Sequence, residues 1–399
     1  MNFTELSKKL TKNLDNKEKK DNGIYFTPQS IIKRMIDIVK KEKNMKFENI
    51  LEPSCGSGEF LNVLRLEFKK ANITGIEFNK TIYNEISQIY NETNIKVLEG
   101  DYIKQPCEQY NLIIGNPPYY VMNNKNVPGE YKEYITGRAN IFILFIIKSL
   151  NLLVEKGIMA FVLPISFLNC YYYDKVRKLL NETCKILEIE ICENDKFLGT
   201  QQKTISLIVQ KVKNNNSDYV LEKEGFTIFN TKTGVEKLRE LYISSKSLNE
   251  MGFNVRVGKV VWNQVKDKLT NDETKTRLIY NSDIINNELQ IKKYKNEAKK
   301  NYIDKNGKRE ALLVVNRGYG KGTYKFSYCL INMEKEYLIE NHLICIESKE
   351  EIEKTLLLEK YRIIIESLEN NKTIEFVKLY FGNNAINTTE LNYMLPIFI

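Results

Sequence analysis

A chain of 399 residues has room for two domains with separate cores, and 42% hydrophobic with 28% charged content is the balance of an ordinary globular protein. Sixty Lys and Arg against 51 Asp and Glu leave a net charge of +9, which suits a polyanionic partner without proving one. Seven cysteines, odd in number and with no C-x-x-C pair, argue against a disulfide framework or a metal site and for a reducing, cytoplasmic compartment. Met1-Asn2-Phe3-Thr4-Glu5 lacks the apolar run of a secretory signal. The longest apolar stretch, Ile141 to Leu153, is interrupted by Lys148, Ser149 and Asn151 and is too short to span a bilayer, so no membrane partner is expected.

In chain order, residues 1–22 are polar and lysine-rich and read as a helical or frayed arm. Ile31, Ile32, Met35, Ile36 and Val39 recur at helical spacing behind Pro28, with Thr27 as the expected cap. Short apolar runs then alternate with helix-like segments: 49–51, 73–76, 96–98, 112–114, 158–163, 186–189 and 204–209. Such alternation predicts βαβ units and an α/β sheet of about seven strands, largely parallel. The last two runs lie too close for a crossover helix and are expected to pair antiparallel. Past about residue 235 the alternation is lost. The rest mixes short strands, a charged stretch from Lys292 to Arg309 expected as a solvated loop, and a helix near Glu350 to Leu368. We therefore divide the chain into an arm (1–22), a first domain (23–235) and a second (236–399).

Asn116-Pro117-Pro118-Tyr119 follows the apolar run Leu112-Ile113-Ile114-Gly115. Two prolines forbid both ladder pairing and immediate helix, so the strand ends in a rigid turn. That turn carries acceptors for an amino group, Asn116 Oδ1 and the Pro117 carbonyl, and Tyr119 as a ring to stack on a planar partner. Alone it would read as a strand terminator and a core tyrosine. Upstream, Leu51-Glu52-Pro53-Ser54-Cys55-Gly56-Ser57-Gly58 links a strand to a helix, where glycines allow close approach to a ligand. No Lys-Ser/Thr follows as in a P-loop, and acidic Glu52 favours a cationic ligand over phosphate. Glu77 and Asp101 stand after the next two strands, at the carboxyl ends where α/β sheets bind ligands. Glu77 is placed to accept ribose hydroxyls, and Asp101 an adenine amino group. Acids at three successive strand ends, with the proline turn at a fourth, are hard to explain as helix caps.

Through these residues the chain resembles the S-adenosylmethionine-dependent DNA amino-methyltransferases, specifically N6-adenine enzymes of the gamma motif order. Gly23 to Pro28, including Phe26 and Thr27, is similar to their leading motif, and Glu52 to Gly58 (with Pro53, Ser54 and Gly56) to their glycine loop. Glu77-Phe78 corresponds to the ribose acid, Asp101-Tyr102 to the adenine clamp, and Asn116 to Tyr119 to the catalytic motif, with Pro118 beside the cofactor. The resemblance covers about residues 20–212 and implies a seven-stranded Rossmann-like methyltransferase sheet followed by an α+β target-recognition domain. It further implies a target adenine flipped from double-stranded DNA and stacked between Tyr119 and Phe197, the latter in a segment that looks like a second aromatic wall. S-adenosylmethionine is the implied cofactor; any accompanying restriction endonuclease is expected as a separate chain, and the expected state is a monomer. Weaker matches place Lys259 and Asn263, then Arg317 and Lys321, among residues reading DNA. The competing reading is a methyltransferase for an RNA base or a protein glutamine amide. A recognition subunit without activity fits an intact Asn116 and Tyr119 poorly. His342, the sole histidine, receives no catalytic role.

Overall fold

The computed structural model describes residues 3–13, 15, 17, 19, 23–90, 94–106, 108–192, 197, 202–213, 216–317, 326–381 and 386–399. The chain divides into two compact units, 1–235 and 236–399.

The first unit is built on a seven-stranded sheet. Its strands are β1 (Asn49–Glu52), β2 (Asn72–Glu77), β3 (Ile95–Glu99), β4 (Tyr110–Gly115), β5 (Leu153–Pro164), β6 (Lys185–Ile191) and β7 (Thr204–Gln210). They lie in the order β3-β2-β1-β4-β5-β7-β6. The β1–β2, β1–β4, β2–β3 and β4–β5 pairs are parallel, while β7 runs antiparallel to both β5 and β6. Along β5 residues alternate between two cores, as the two-residue period of a strand requires. Met159, Phe161 and Leu163 of β5 enter one apolar cluster, Ile158, Ala160 and Val162 the other.

Among the described residues, six helices flank or precede these strands: α1 (Glu5–Asn13), α2 (Gln29–Val39), α3 (Glu59–Glu67), α4 (Lys80–Ile89), α5 (Ile141–Leu152) and α6 (Asp174–Thr183). The five apolar positions of α2 are all buried. Its N-cap, however, is Pro28, with no side-chain capping bond, and Thr27 Oγ1 is buried without a hydrogen-bond partner among the described residues. Thr27 therefore does not act as the cap; it faces a cavity described below.

The N-terminal arm is not a separate element. Its helix α1 belongs to the first unit, and Thr4 and Ser7 bind the Glu59 carboxylate at the first turn of α3, with Thr4 N–H donating at 2.7 Å and Ser7 Oγ at 2.5 Å. Gln29 Nε2 donates to the other oxygen of Glu59 at 3.0 Å. A carboxylate at a helix N-terminus is favoured by the macrodipole, and here it also ties two preceding segments to the glycine turn.

The second unit contains two four-stranded sheets and the helix Lys354–Glu369. The stretch from Lys292 to Arg309 is more ordered than a solvated loop. Asn301 Nδ2 donates to the Lys292 carbonyl at 3.0 Å, Tyr280 hydroxyl to the Lys300 carbonyl at 2.9 Å, and Tyr294 hydroxyl to the fully buried Asp283. Arg277 donates to the same carboxylate at 2.9 Å, and the Lys299 ammonium lies 4.0 and 4.3 Å from the Tyr280 and Tyr294 ring centres. His342 pairs with buried Glu340 within this unit.

Candidate active site

Four parallel strands end along one edge of the first unit's sheet, and a cavity of about 230 Å³ opens there. Of the residues singled out in the sequence, Phe26, Thr27, Glu52, Pro53, Ser54, Gly56, Glu77, Phe78, Asp101, Tyr102, Asn116 and Pro118 line it. Gly58 does not; it caps α3 in a left-handed conformation (φ +78°), where an added Cβ would meet Ile86 Cδ1 at 2.7 Å. Pro117, Tyr119 and Phe197 also lie off the cavity wall.

Two carboxyls dominate the floor. Glu77 is 7% exposed, with one oxygen accepting the Gly56 N–H at 2.8 Å and the other the Asn79 N–H at 2.7 Å. Burial pushes its carboxyl up to about 7, against the opposing pull of those N–H groups. Glu52 is 1% exposed, and its Oε2 has no hydrogen-bond partner among the described residues. Burial, then the neighbouring Glu77 charge, raise the Glu52 carboxyl well above the usual carboxylate range. An unpartnered buried carboxyl oxygen is costly unless a donor or a cation joins it. Glu52 Oε2 and Thr27 Oγ1 are both such orphans, and both residues line the cavity. At the rim Phe78 is 68% exposed, a large apolar ring with nothing yet to cover it. Asp101 accepts the Ile103 N–H at 3.0 Å through Oδ1. This donor set fits S-adenosylmethionine, which carries an ammonium, a sulfonium, two ribose hydroxyls and a flat adenine.

The proline turn holds Asn116 at the edge of the cavity. Asn116 Nδ2 donates to the Tyr25 carbonyl at 3.1 Å, and Ser54 Oγ donates to the Asn116 carbonyl at 3.1 Å. Tyr119 hydroxyl lies 2.5 Å from Asn116 Oδ1 and 2.7 Å from the Val162 carbonyl, and its single proton serves one at a time. Burial raises the phenol well above its ordinary value, so it remains a donor. The ring meets Phe142 edge-on at 6.0 Å. The sequence reading gave Tyr119 a role through its ring alone; the structure adds a hydroxyl that clamps the amide. Tyr119→Phe is therefore expected to lower the single-turnover rate by roughly tenfold, the value of one hydrogen bond, with cofactor affinity unchanged. Equal rates within about twofold would leave the hydroxyl no part in setting Asn116.

Phe197 does not line the cavity; it is 9% exposed and packs in the apolar cluster that holds α2 and α3. Its neighbours 193–196 and 198–201 lie outside the described residues. Sequence reading also missed Tyr120, Ile141 and Phe145, which line the cavity. Tyr120 had a signal in its place next to the turn. Ile141 and Phe145 had none, because the first two turns of α5 are apolar on every side.

In the second unit Lys259, Asn263 and Arg317 are exposed, while Lys321 lies outside the described residues. No helix among the described residues is long and apolar enough to cross a membrane, and no group of three or more metal-type ligands is present among them.

The sheet order with its antiparallel β7, the glycine turn after β1 and the acids after β2 and β3 are the layout of a Rossmann-like methyltransferase fold. Residues 3–197 match the family model described as Eco57I restriction-modification methylase. The chain is 27% identical to the modification methylase CviBIII of Paramecium bursaria Chlorella virus NC1A, over 99% of each chain. It is equally 27% identical, over 99% of each, to the type II methyltransferase M.CvrRI of Paramecium bursaria Chlorella virus XZ-6E. Among solved structures, the DrdV–DNA complex aligns with 95% of this chain and 57% of that one, at a TM-score of 0.53 and 13% identity, a likeness of fold. These likenesses support reading the chain as a DNA methyltransferase of the restriction–modification type.

Proposed function

We propose that this methyltransferase methylates the N6 amino group of an adenine flipped out of double-stranded DNA. The observation that carries the reading is the Asn116 amide, fixed at both ends beside a cavity built for the cofactor. Asn116 Oδ1 keeps a second lone pair for one N6 hydrogen, and the Pro117 carbonyl takes the other. Both bonds draw the nitrogen lone pair out of conjugation, so positioning and electrostatics supply the acceleration with no general base. Tyr119 offers its ring to the base. Phe197 would have to leave its apolar cluster to serve as the opposite wall. In the cavity Glu77 accepts ribose hydroxyls, Asp101 the adenine amino group, Phe78 covers the adenine face, and Glu52 neutralises the cationic end. When bound, the cofactor supplies an electrophilic methyl group.

The segments run from cofactor turn to proline turn to second unit, which we read as the gamma order with the target-recognition domain last. Its work would be done as a cytoplasmic monomer, with any endonuclease on a separate chain. Arg317, Lys259 and Asn263 remain the candidates for base or phosphate contact there. Support for a polyanion partner comes from Lys292, Lys293, Lys295 and Lys300, four lysines on one pinned loop with no ion pair among the described residues. Replacing Lys293 and Lys295 together by alanine should reduce the salt slope of DNA binding by about 2, near 0.9 per phosphate contact, at unchanged cofactor affinity. An unaltered slope would place the phosphate contacts elsewhere.

The function itself is tested by expressing the chain in a host without DNA methylation and analysing nucleosides by mass spectrometry. N6-methyladenine confined to one sequence context is the expected result. N4-methylcytosine, or methylation of RNA or protein alone, would overturn it.

A further inference from the structure

Helix α5 carries a single charge, Lys148, in a largely apolar run, and that charge is turned toward the cofactor cavity's wall. Lys148 Nζ donates to the Tyr102 carbonyl at 2.6 Å, the Ile103 carbonyl at 3.1 Å and the Gln105 carbonyl at 2.6 Å. Three ammonium hydrogens thus meet three carbonyls of one loop. The loop is a single turn after β3, closed by Lys104 and Gln105 N–H groups donating to the Asp101 carbonyl at 3.0 and 2.9 Å. A turn this short ends before its later carbonyls find N–H partners four residues on, and a cation at that end satisfies them. The same ammonium lies 4.9 Å from the Tyr102 ring centre. The next residue, fully buried Ser149, meets Tyr102 hydroxyl at 3.0 Å, and Phe145, one turn earlier, packs on the Tyr102 ring at 4.9 Å. Gly100, Asp101, Tyr102 and Lys104 of this loop all line the cavity.

We propose that Lys148 is a positioning residue for the cofactor: it fixes the loop that presents Asp101, and acts on binding rather than on methyl transfer. The inference rests on the cavity being the S-adenosylmethionine site. Lys148 does not itself line the cavity and holds its wall through the 102–105 carbonyls and the Tyr102 ring, so its loss releases the wall without removing a cavity-lining side chain.

The test is calorimetric titration of the full-length protein with S-adenosylmethionine and, separately, S-adenosylhomocysteine, with steady-state kinetics beside it. For Lys148→Met, of similar length but without donors, the dissociation constants of both should rise about tenfold or more. The turnover number at saturating cofactor should stay within about threefold. Ser149→Ala should shift affinity in the same direction by less, and Lys148→Arg, whose planar fork cannot fan onto three carbonyls, should fall between wild type and Lys148→Met. A purely structural lysine would lower the binding stoichiometry and melting temperature while leaving the dissociation constant of the folded fraction unchanged; that outcome overturns the proposal. Should Lys148→Met fail to fold, an unchanged dissociation constant in both Ser149→Ala and Lys148→Arg overturns it equally. A wild-type protein that binds neither ligand would instead remove the cofactor reading of the cavity.

Discussion

Asn116→Ala is expected to lower methyl transfer by roughly 100-fold or more while leaving S-adenosylmethionine affinity nearly intact. The reasoning starts from what holds the side chain. Its Nδ2 is committed to the Tyr25 carbonyl and its Oδ1 faces the Tyr119 hydroxyl, so the amide cannot rotate to find other partners. A preorganised acceptor aimed at a nitrogen whose hydrogens become more acidic in the transition state contributes there more than in the ground state. Loss of one such transition-state hydrogen bond typically costs about 10²-fold in rate. The cavity's two carboxyls, its aromatic rim and the glycine turn are untouched by the change, so cofactor binding persists. Single-turnover rates with cofactor bound beforehand, set beside calorimetric affinity, separate the two effects. A variant keeping more than about a tenth of wild-type turnover would deny Asn116 its assigned part.

How much of this was legible before the structure depends on the range of the contacts involved. Glu52, Glu77 and Asp101 announce themselves because each follows a short apolar run, and strand ends converge on one edge of a parallel sheet by topology alone. The antiparallel β7 was legible from the short connection before it. Lys148 was not: within Ile141–Leu152 it read as a polar interruption, and its carbonyl partners lie 43 to 46 residues away. The docking of Thr4 on Glu59 spans 55 residues and leaves no period to detect. The Tyr119 hydroxyl was overlooked because its second acceptor is a backbone carbonyl on β5, which has no sequence signature. Thr27 was misread for a related reason. A threonine before Pro-Gln-Ser is a good local cap, yet the proline takes that place and leaves the hydroxyl buried without a partner among the described residues. Phe197 was assigned by motif alone, and its aromatic side chain fits an apolar core as well as a base-binding wall.

Cofactor affinity should fall as the pH drops below about 7, by about tenfold per unit, and Glu77→Gln should flatten that dependence. Burial holds the Glu77 carboxyl up at about 7 in the cofactor-free protein, so below that pH the group is largely protonated. Ribose hydroxyls donate to the carboxylate form, so binding favours ionisation and must release a proton whenever the free protein holds one. Stability of the cofactor-free protein carries the opposite sign. A carboxyl whose folded pKa lies above its unfolded value of 4.5 binds more protons folded than unfolded between the two. Its contribution to stability is therefore lost as pH rises from 4.5 toward 7. Glu52, raised by the same burial and by Glu77 itself, adds to that trend with the same sign. At pH 8, where both forms of the argument agree that Glu77 is charged, Glu77→Gln should weaken S-adenosylmethionine by about ten- to a hundredfold, since charge-assisted bonds contribute roughly 1.5–3 kcal/mol. Calorimetry in two buffers of different ionisation enthalpy reads the released proton directly, and thermal melts of the cofactor-free protein over the same range read the opposing slope. Affinity independent of pH between about 5.5 and 8, with no proton release, would show that Glu77 does not hold the ribose.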